Sequence, residues 1–161
     1  MSLVEQAHAL QVEAQELYQL LDLGTAFPWQ PVLIGSALSG LMVDRDLDVM
    51  FDAPDATTAT VLSGLVTLNG RVELRSVDFR DERGERRPTP AVTDERFYAV
   101  LHTDAWKIDL TFWLHVVERP HVADALRVRN ATDEQRLEIL RRKDKDNERD
   151  SSAIYAAVLQ E

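Results

Sequence analysis

Cysteine is absent from the 161 residues, so no disulfide can staple the fold. No stretch approaches the roughly 18 consecutive apolar residues that a membrane-spanning helix needs, and a soluble chain is expected. The opening Met1-Ser2-Leu3-Val4-Glu5 lacks the basic start and apolar run of a secretory signal, which predicts a cytoplasmic location. Basic residues are also in short supply. There are 18 Lys and Arg against 28 Asp and Glu, a formal net charge of −10. That balance disfavours broad contact with a nucleic-acid backbone, which relies on clustered Lys and Arg neutralising phosphates. A small or cationic partner is easier to accommodate. Internal repeats and low-complexity tracts are missing as well.

The length suits one well-buried core and is short for two independent domains. A core over residues 1–118 is expected, with residues 119–161 as a C-terminal helical extension of the same domain. The 45% hydrophobic and 29% charged shares are ordinary for a folded chain.

Apolar residues at Leu3, Ala7, Leu10, Ala14, Leu17 and Leu21 follow helical spacing. Ser2 and Glu5 form a capping-box pattern, and Gly24 is a candidate stop. The run Val32-Leu33-Ile34 reads as a short buried strand ending at Gly35-Ser36. A second strand, about Asp46 to Phe51, sends Leu47, Val49 and Phe51 to one face and Asp46, Asp48 and Met50 to the other. Asp55 is expected to cap a helix carrying Val61, Leu62, Leu65 and Val66 and closed by Asn69-Gly70. Strands are predicted at about Arg71 to Phe79, Arg96 to Leu101 and Trp106 to Leu114. Between them, Arg80 to Arg87 reads as a solvent loop and Thr103-Asp104-Ala105 as a hairpin turn. Thr132 and Gln135 open a helix through roughly Lys143, and Asp150 or Ser151 caps a last one bearing Ile154, Tyr155, Val158 and Leu159.

The chemistry-bearing residues fall into this frame. A strand that stops at Gly35-Ser36 and turns into a helix exposes backbone N–H groups that can bind phosphate oxygens, and Gly35 permits close approach. Asp46 and Asp48, two residues apart on a strand, project from one face about 7 Å apart, from which both can reach metal ions. Two such like charges are costly without a counter-cation or solvent. In Trp106 to Leu114, alternation places Lys107, Asp109, Thr111 and Trp113 on the face opposite Trp106, Ile108, Leu110, Phe112 and Leu114. Asp109 can thus join the first pair. Taken singly, Gly35-Ser36 also fits a plain N-capped turn, and Asp46-Leu47-Asp48 the solvated face of an edge strand. His8, His102, His115 and His121 form no metal-spaced pair and read as ordinary surface or core.

The order of strand, Gly-Ser, helix, Asp-x-Asp strand and later strand with a third Asp resembles the nucleotidyltransferase superfamily that is like DNA polymerase beta. Gly35-Ser36-x-x-x-Gly40 followed by Asp46-x-Asp48 is similar to its small bacterial members, the minimal and antibiotic-modifying nucleotidyltransferases. The resemblance covers residues 32 to 114. It implies an α+β fold, a nucleotidyltransferase-like mixed β-sheet of about five strands flanked by helices, with C-terminal helices. It further implies Gly35 and Ser36 at the triphosphate of a nucleoside triphosphate such as ATP. Asp46, Asp48 and Asp109 would be catalytic residues and ligands of two Mg2+ ions, Asp109 assisting deprotonation of the acceptor hydroxyl. The reaction implied moves a nucleoside monophosphate onto a hydroxyl of a small-molecule or protein acceptor, with loss of pyrophosphate.

Arg45 stands where many relatives have Ser. It is a candidate phosphate contact, although a surface arginine at a strand edge is the commoner reading. Lys107 is a second candidate, with a structural ion pair as its alternative. Trp113 and Tyr98 are candidates to stack on a base, against the commoner core role. Arg141 to Asp146 reads as a solvated helix face, a phosphate contact by Lys143 or Lys145 being the lesser reading. The alternative to an enzyme is a noncatalytic nucleotide-binding or partner-regulatory module of the same fold, antitoxin-like. A homodimer that builds its acceptor site between subunits is the other way a chain this short could be completed.

Overall fold

The computed structural model describes residues 1–145 and 151–159, the side chains of 120 and 121 excepted. Helix α1, Leu3–Leu21, starts at the expected capping box: Glu5 N donates to Ser2 Oγ at 3.1 Å and Ser2 N to Glu5 Oε2 at 2.8 Å. Ala7, Ala14 and Leu21 are buried, and Leu10 and Leu17 are half-buried against the core that holds Ala14 and Leu21. The stop is Asp22 rather than Gly24. Asp22 adopts φ +44 and accepts a hydrogen bond from Thr25 Oγ1 at 2.9 Å, the local bonding that lets Asp tolerate the left-handed region. Gly24 lies inside a second short helix, α2, Leu23–Ala26. At this break Arg71 Nη1 donates to Leu21 O at 2.6 Å and to Asp22 O at 2.7 Å, the latter carbonyl also accepting from Thr25 N at 3.0 Å.

Five strands form one mixed sheet in the order β1-β2-β5-β4-β3. They are β1 (Pro31–Ile34), β2 (Asp46–Asp52), β3 (Ser76–Glu82), β4 (Arg96–His102) and β5 (Lys107–Trp113). β2 and β5 run parallel, and the other neighbours are antiparallel. β1 is half-buried along its length rather than a buried strand, because it is the edge of the sheet. Met50, expected on the polar face with the two acids, is buried.

The third strand is displaced from its expected place. Residues 71–75 precede it because Arg71 is committed to α1, while Val72 N bonds back to Leu68 O at 3.0 Å. Arg80, Asp81 and Glu82, expected in a loop, pair instead with Tyr98, Phe97 and Arg96. On an edge strand charged side chains are no obstacle, and Glu82, 3% exposed, is neutralised by Arg96 at 2.9 Å. The loop begins at Arg83 and holds a single 3-10 turn, Gly84–Arg86. The β4–β5 connection is the expected hairpin, where Thr103 Oγ1 accepts from Trp106 N at 2.9 Å.

Helix α4, Thr58–Asn69, crosses one face of the sheet. Its cap is Thr57, whose Oγ1 accepts from Thr60 N at 3.2 Å, since Asp55 is taken by Trp29 Nε1 at 2.7 Å. On this face Leu47, Val49, Phe51, Phe97, Leu101, Ile108, Leu110 and Phe112 are fully buried. Phe27 packs between α4 and the sheet, its ring 4.9 Å from Phe112. Gly64 makes room for it, because a Cβ there would lie 2.1 Å from the Phe27 ring.

The opposite end carries α3 (Gly35–Ser39), α5 (Pro120–Arg129), α6 (Asp133–Lys145) and α7 (Ser151–Leu159). α6 opens on the expected Thr132–Gln135 box, with Gln135 N on Thr132 Oγ1 at 3.2 Å. α5, which no capping pattern in the sequence announces, packs on α3. Ala7, Leu41, Val128, Ile139, Leu140 and Ile154 form a second apolar cluster that ties these helices to α1. Of the two residues proposed to cap α7, Ser151 is its first residue and Asp150 lies outside the described residues.

Candidate active site

The parallel pairing of β2 with β5 puts Asp48 opposite Asp109 and Asp46 opposite Lys107. Each strand buries its apolar face in the core, so the acids share the other face by the period of two. β1 pairs with β2 on the far side, Ile34 opposite Asp48, and the chain turns at Gly35 into α3. Gly35 has φ +67, and a Cβ added there would meet Asp48 Oδ2 at 2.5 Å. Only glycine satisfies both the backbone sign and the contact.

These residues line a cleft of about 800 Å³. Gly35, Ser36, Arg45, Asp46, Asp48, Lys107 and Asp109 all border it, as do Trp113 and Lys143, whereas Tyr98 and Lys145 are not among its lining residues. Asp48 is pushed up to about 7 by burial first, then by the charges of Asp109 and Asp46. Asp46 is raised by burial, with Lys107 opposing and Asp109 adding to the rise. Asp109 Oδ2 accepts from the Tyr98 hydroxyl at 3.0 Å and lies 3.7 Å from Lys107 Nζ. Its Oδ1 is buried without a hydrogen-bond partner.

Among the described residues, no three His, Cys, Asp or Glu side chains converge into a ready-made metal cage. The acids of the cleft nevertheless fit a hard cation. Their donors are all carboxylate oxygens, the class that Mg2+ and Ca2+ prefer. Asp109 also has a buried oxygen with no hydrogen-bond partner, and burial, then the charges of Asp109 and Asp46, push Asp48 up to about 7, so a cation would satisfy both groups.

Arg45 faces the cleft but is also held by α1, its Nε and Nη2 on the two oxygens of Glu13 at 2.9 and 3.2 Å. Lys107 carries the ion pair with Asp109 that was its alternative reading. Tyr98 and Trp113 each have a ring face covered by a guanidinium. Arg96 lies 4.1 Å over Tyr98 and Arg119 3.7 Å over Trp113.

Two further groups at the cleft come from the C-terminal helices. Lys143 of α6 donates to Leu41 O at 2.6 Å. Burial brings it down to about 8 against the opposing pull of Asp48 and Asp46. Its spacing from Ile139 and Leu140, both buried, put it on the inward face of α6. That period was the signal available in the sequence, but the mixed charges around it pointed to solvent. Tyr155 of α7 also borders the cleft, and burial raises its hydroxyl.

No protein-family model matches the chain, and no curated protein matches it. Solved structures do. The Cid1 poly(U) polymerase, in a structure with Mg and 3'-dATP bound, aligns with a TM-score of 0.55 at 14% identity, over 86% of this chain and 41% of that one. The structure of the GLD-2/RNP-8 complex aligns with a TM-score of 0.52 at 16% identity, over 95% of this chain and 62% of that one. The likeness shows a nucleotidyltransferase-like fold. This chain spans less than two thirds of the length of either relative. Among the described residues no helix is long and apolar enough to cross a membrane.

Proposed function

We propose that this chain is a magnesium-dependent nucleotidyltransferase that moves a nucleoside monophosphate from a nucleoside triphosphate to a hydroxyl of a small-molecule or protein acceptor. One observation carries the reading: the β2–β5 register sets Asp48 opposite Asp109 beside the Gly35 turn, in one cleft. A structural module has no use for so costly a group of acids. The bound Mg and 3'-dATP of the Cid1 relative fit the same reading.

In this proposal the N–H groups at the start of α3 and the Ser36 hydroxyl receive the triphosphate, and Gly35 lets it approach. Arg45, Lys107 and Lys143 offset its negative charge. Asp46, Asp48 and Asp109 would hold Mg2+, two ions of which, when bound, stabilise the attacking and leaving oxygens of an in-line displacement. Asp109 assists deprotonation of the acceptor hydroxyl, whose proton passes to solvent as the hydroxyl oxygen bonds to the α-phosphorus and the bond from that phosphorus to pyrophosphate breaks.

The test is a calorimetric titration with each of the four ribonucleoside triphosphates, with and without Mg2+, on the native chain and on Asp46→Asn/Asp48→Asn. Metal-dependent binding that the variant loses is expected. Absence of binding to every triphosphate under both conditions would remove the reading.

A second reading is a noncatalytic nucleotide-binding or partner-regulatory module. Its motive is that Arg45 and Lys107, the two candidate phosphate contacts, are already engaged by Glu13 and Asp109. Triphosphate binding without pyrophosphate release across an acceptor panel would support it. A homodimer completing the acceptor side is open to the same experiments run alongside sedimentation.

A further inference from the structure

Asp109 has an asymmetric environment. Oδ2 is engaged by the Tyr98 hydroxyl at 3.0 Å, while Oδ1 is buried with no hydrogen-bond partner. Tyr98 reaches it from the neighbouring strand. In the β4–β5 pairing Val100 lies opposite Asp109 and Thr111 opposite Tyr98, so Tyr98 and Asp109 are diagonal neighbours on the cleft side of the sheet. Such a diagonal is spanned by long side chains.

Tyr98 is itself held from behind. The Arg96 guanidinium lies 4.1 Å over its ring, and Arg96 is fixed by Glu82 of the edge strand at 2.9 Å. Glu82 is buried and Arg96 mostly so, which makes this a constrained pair rather than a solvated one. A line of contacts therefore crosses three strands, from Glu82 through Arg96 and Tyr98 to Asp109. A carboxylate with one oxygen tied has its rotation fixed, and the free oxygen then has a defined direction.

We propose that Tyr98 is a positioning residue that, braced by Arg96 and Glu82, holds Asp109 by Oδ2 so that Oδ1 alone is presented to a divalent cation. The inference rests on the metal-holding role proposed above for Asp109. It assigns Tyr98 to the acid cluster rather than to a nucleobase.

The experiment is a Mn2+ titration followed by water-proton relaxation, on the native chain, Tyr98→Phe, Asp109→Asn and the double variant, each with nucleoside triphosphate present, with steady-state turnover alongside. Phe keeps the ring under Arg96 and removes only the hydroxyl, and a thermal melt checks that the fold is retained. Tyr98→Phe is expected to bind Mn2+ about ten-fold more weakly, with kcat lowered and the triphosphate KM within about two-fold. In the Asp109→Asn background the same change is expected to have no further effect, because Tyr98 acts through that carboxylate. Native affinity and kcat in Tyr98→Phe would overturn the inference, as would an equal loss in both backgrounds. Failure of the native chain itself to take up Mn2+ would instead sink the nucleotidyl-transfer reading beneath it.

Discussion

Gly35 and Asp48 are in contact so close that a methyl group on the glycine would lie 2.5 Å from Asp48 Oδ2, at a backbone φ of +67. Two penalties therefore meet in Gly35→Ala. A left-handed non-glycine residue costs about 1–2 kcal/mol, and the Asp48 carboxylate must move. The expected result is a melting temperature lowered by about 3–8 °C and loss of turnover beyond what the stability change accounts for. A variant with unaltered turnover would separate Asp48's position from the reaction.

The Asp48 carboxyl changes how stability depends on pH. Folding raises it from 3.8 to about 7, so between those values the folded state holds a proton that the unfolded state has released. Stability from this group is full at low pH and falls as pH rises through that window. Asp48→Asn mimics the protonated form. In metal-free buffer it should melt within about 2 °C of the native chain at pH 5 but about 5 °C higher at pH 8. The same variant should lose turnover by about 100-fold or more. Equal melting shifts at the two pH values would contradict a buried, charge-coupled Asp48.

Lys143 of α6 brings a cation to the cleft. Lys143→Met keeps the length and apolar stem of the side chain and removes the charge. It is expected to raise the triphosphate KM by about ten-fold, or about 1.4 kcal/mol of binding, with kcat changed less. A KM unchanged in steady-state assays would restrict Lys143 to tying α6 to Leu41.

Arg45 is shared between Glu13 and the cleft. Exposed ion pairs contribute little to stability, so Arg45→Ala should melt within about 2 °C of the native chain. Its triphosphate KM is expected to rise about three-fold, less than for Lys143→Met. A fall in melting temperature without a KM change would make Arg45 a purely structural partner of α1.

Gly64 tests the frame away from the site. A Cβ there would sit 2.1 Å from the Phe27 ring, and overpacking of this kind costs about 1–3 kcal/mol. Gly64→Ala should lower the melting temperature by about 3–10 °C while Mg2+-dependent triphosphate binding below the transition stays intact.

What the sequence determined by itself was local. Alternation in Asp46 to Phe51 and in Trp106 to Leu114 already assigned Asp46, Asp48 and Asp109 to faces turned away from the core, because a strand's period of two leaves no third choice. The α1 stripe and the Ser2 and Thr132 caps were equally legible, being bonds between residues three apart. Where local signals competed, tertiary contacts decided. Asp55 looked like a cap until Trp29 claimed it, leaving Thr57. Arg80 to Glu82 looked like a loop until Arg96 neutralised Glu82 across the strands. Only the folded chain could set Asp48 opposite Asp109, bring Lys143 to their cleft and hang the Tyr98 hydroxyl on Asp109. Strand register and helix docking are fixed by which apolar faces bury together across long separations, and no periodicity within a single segment encodes that partner.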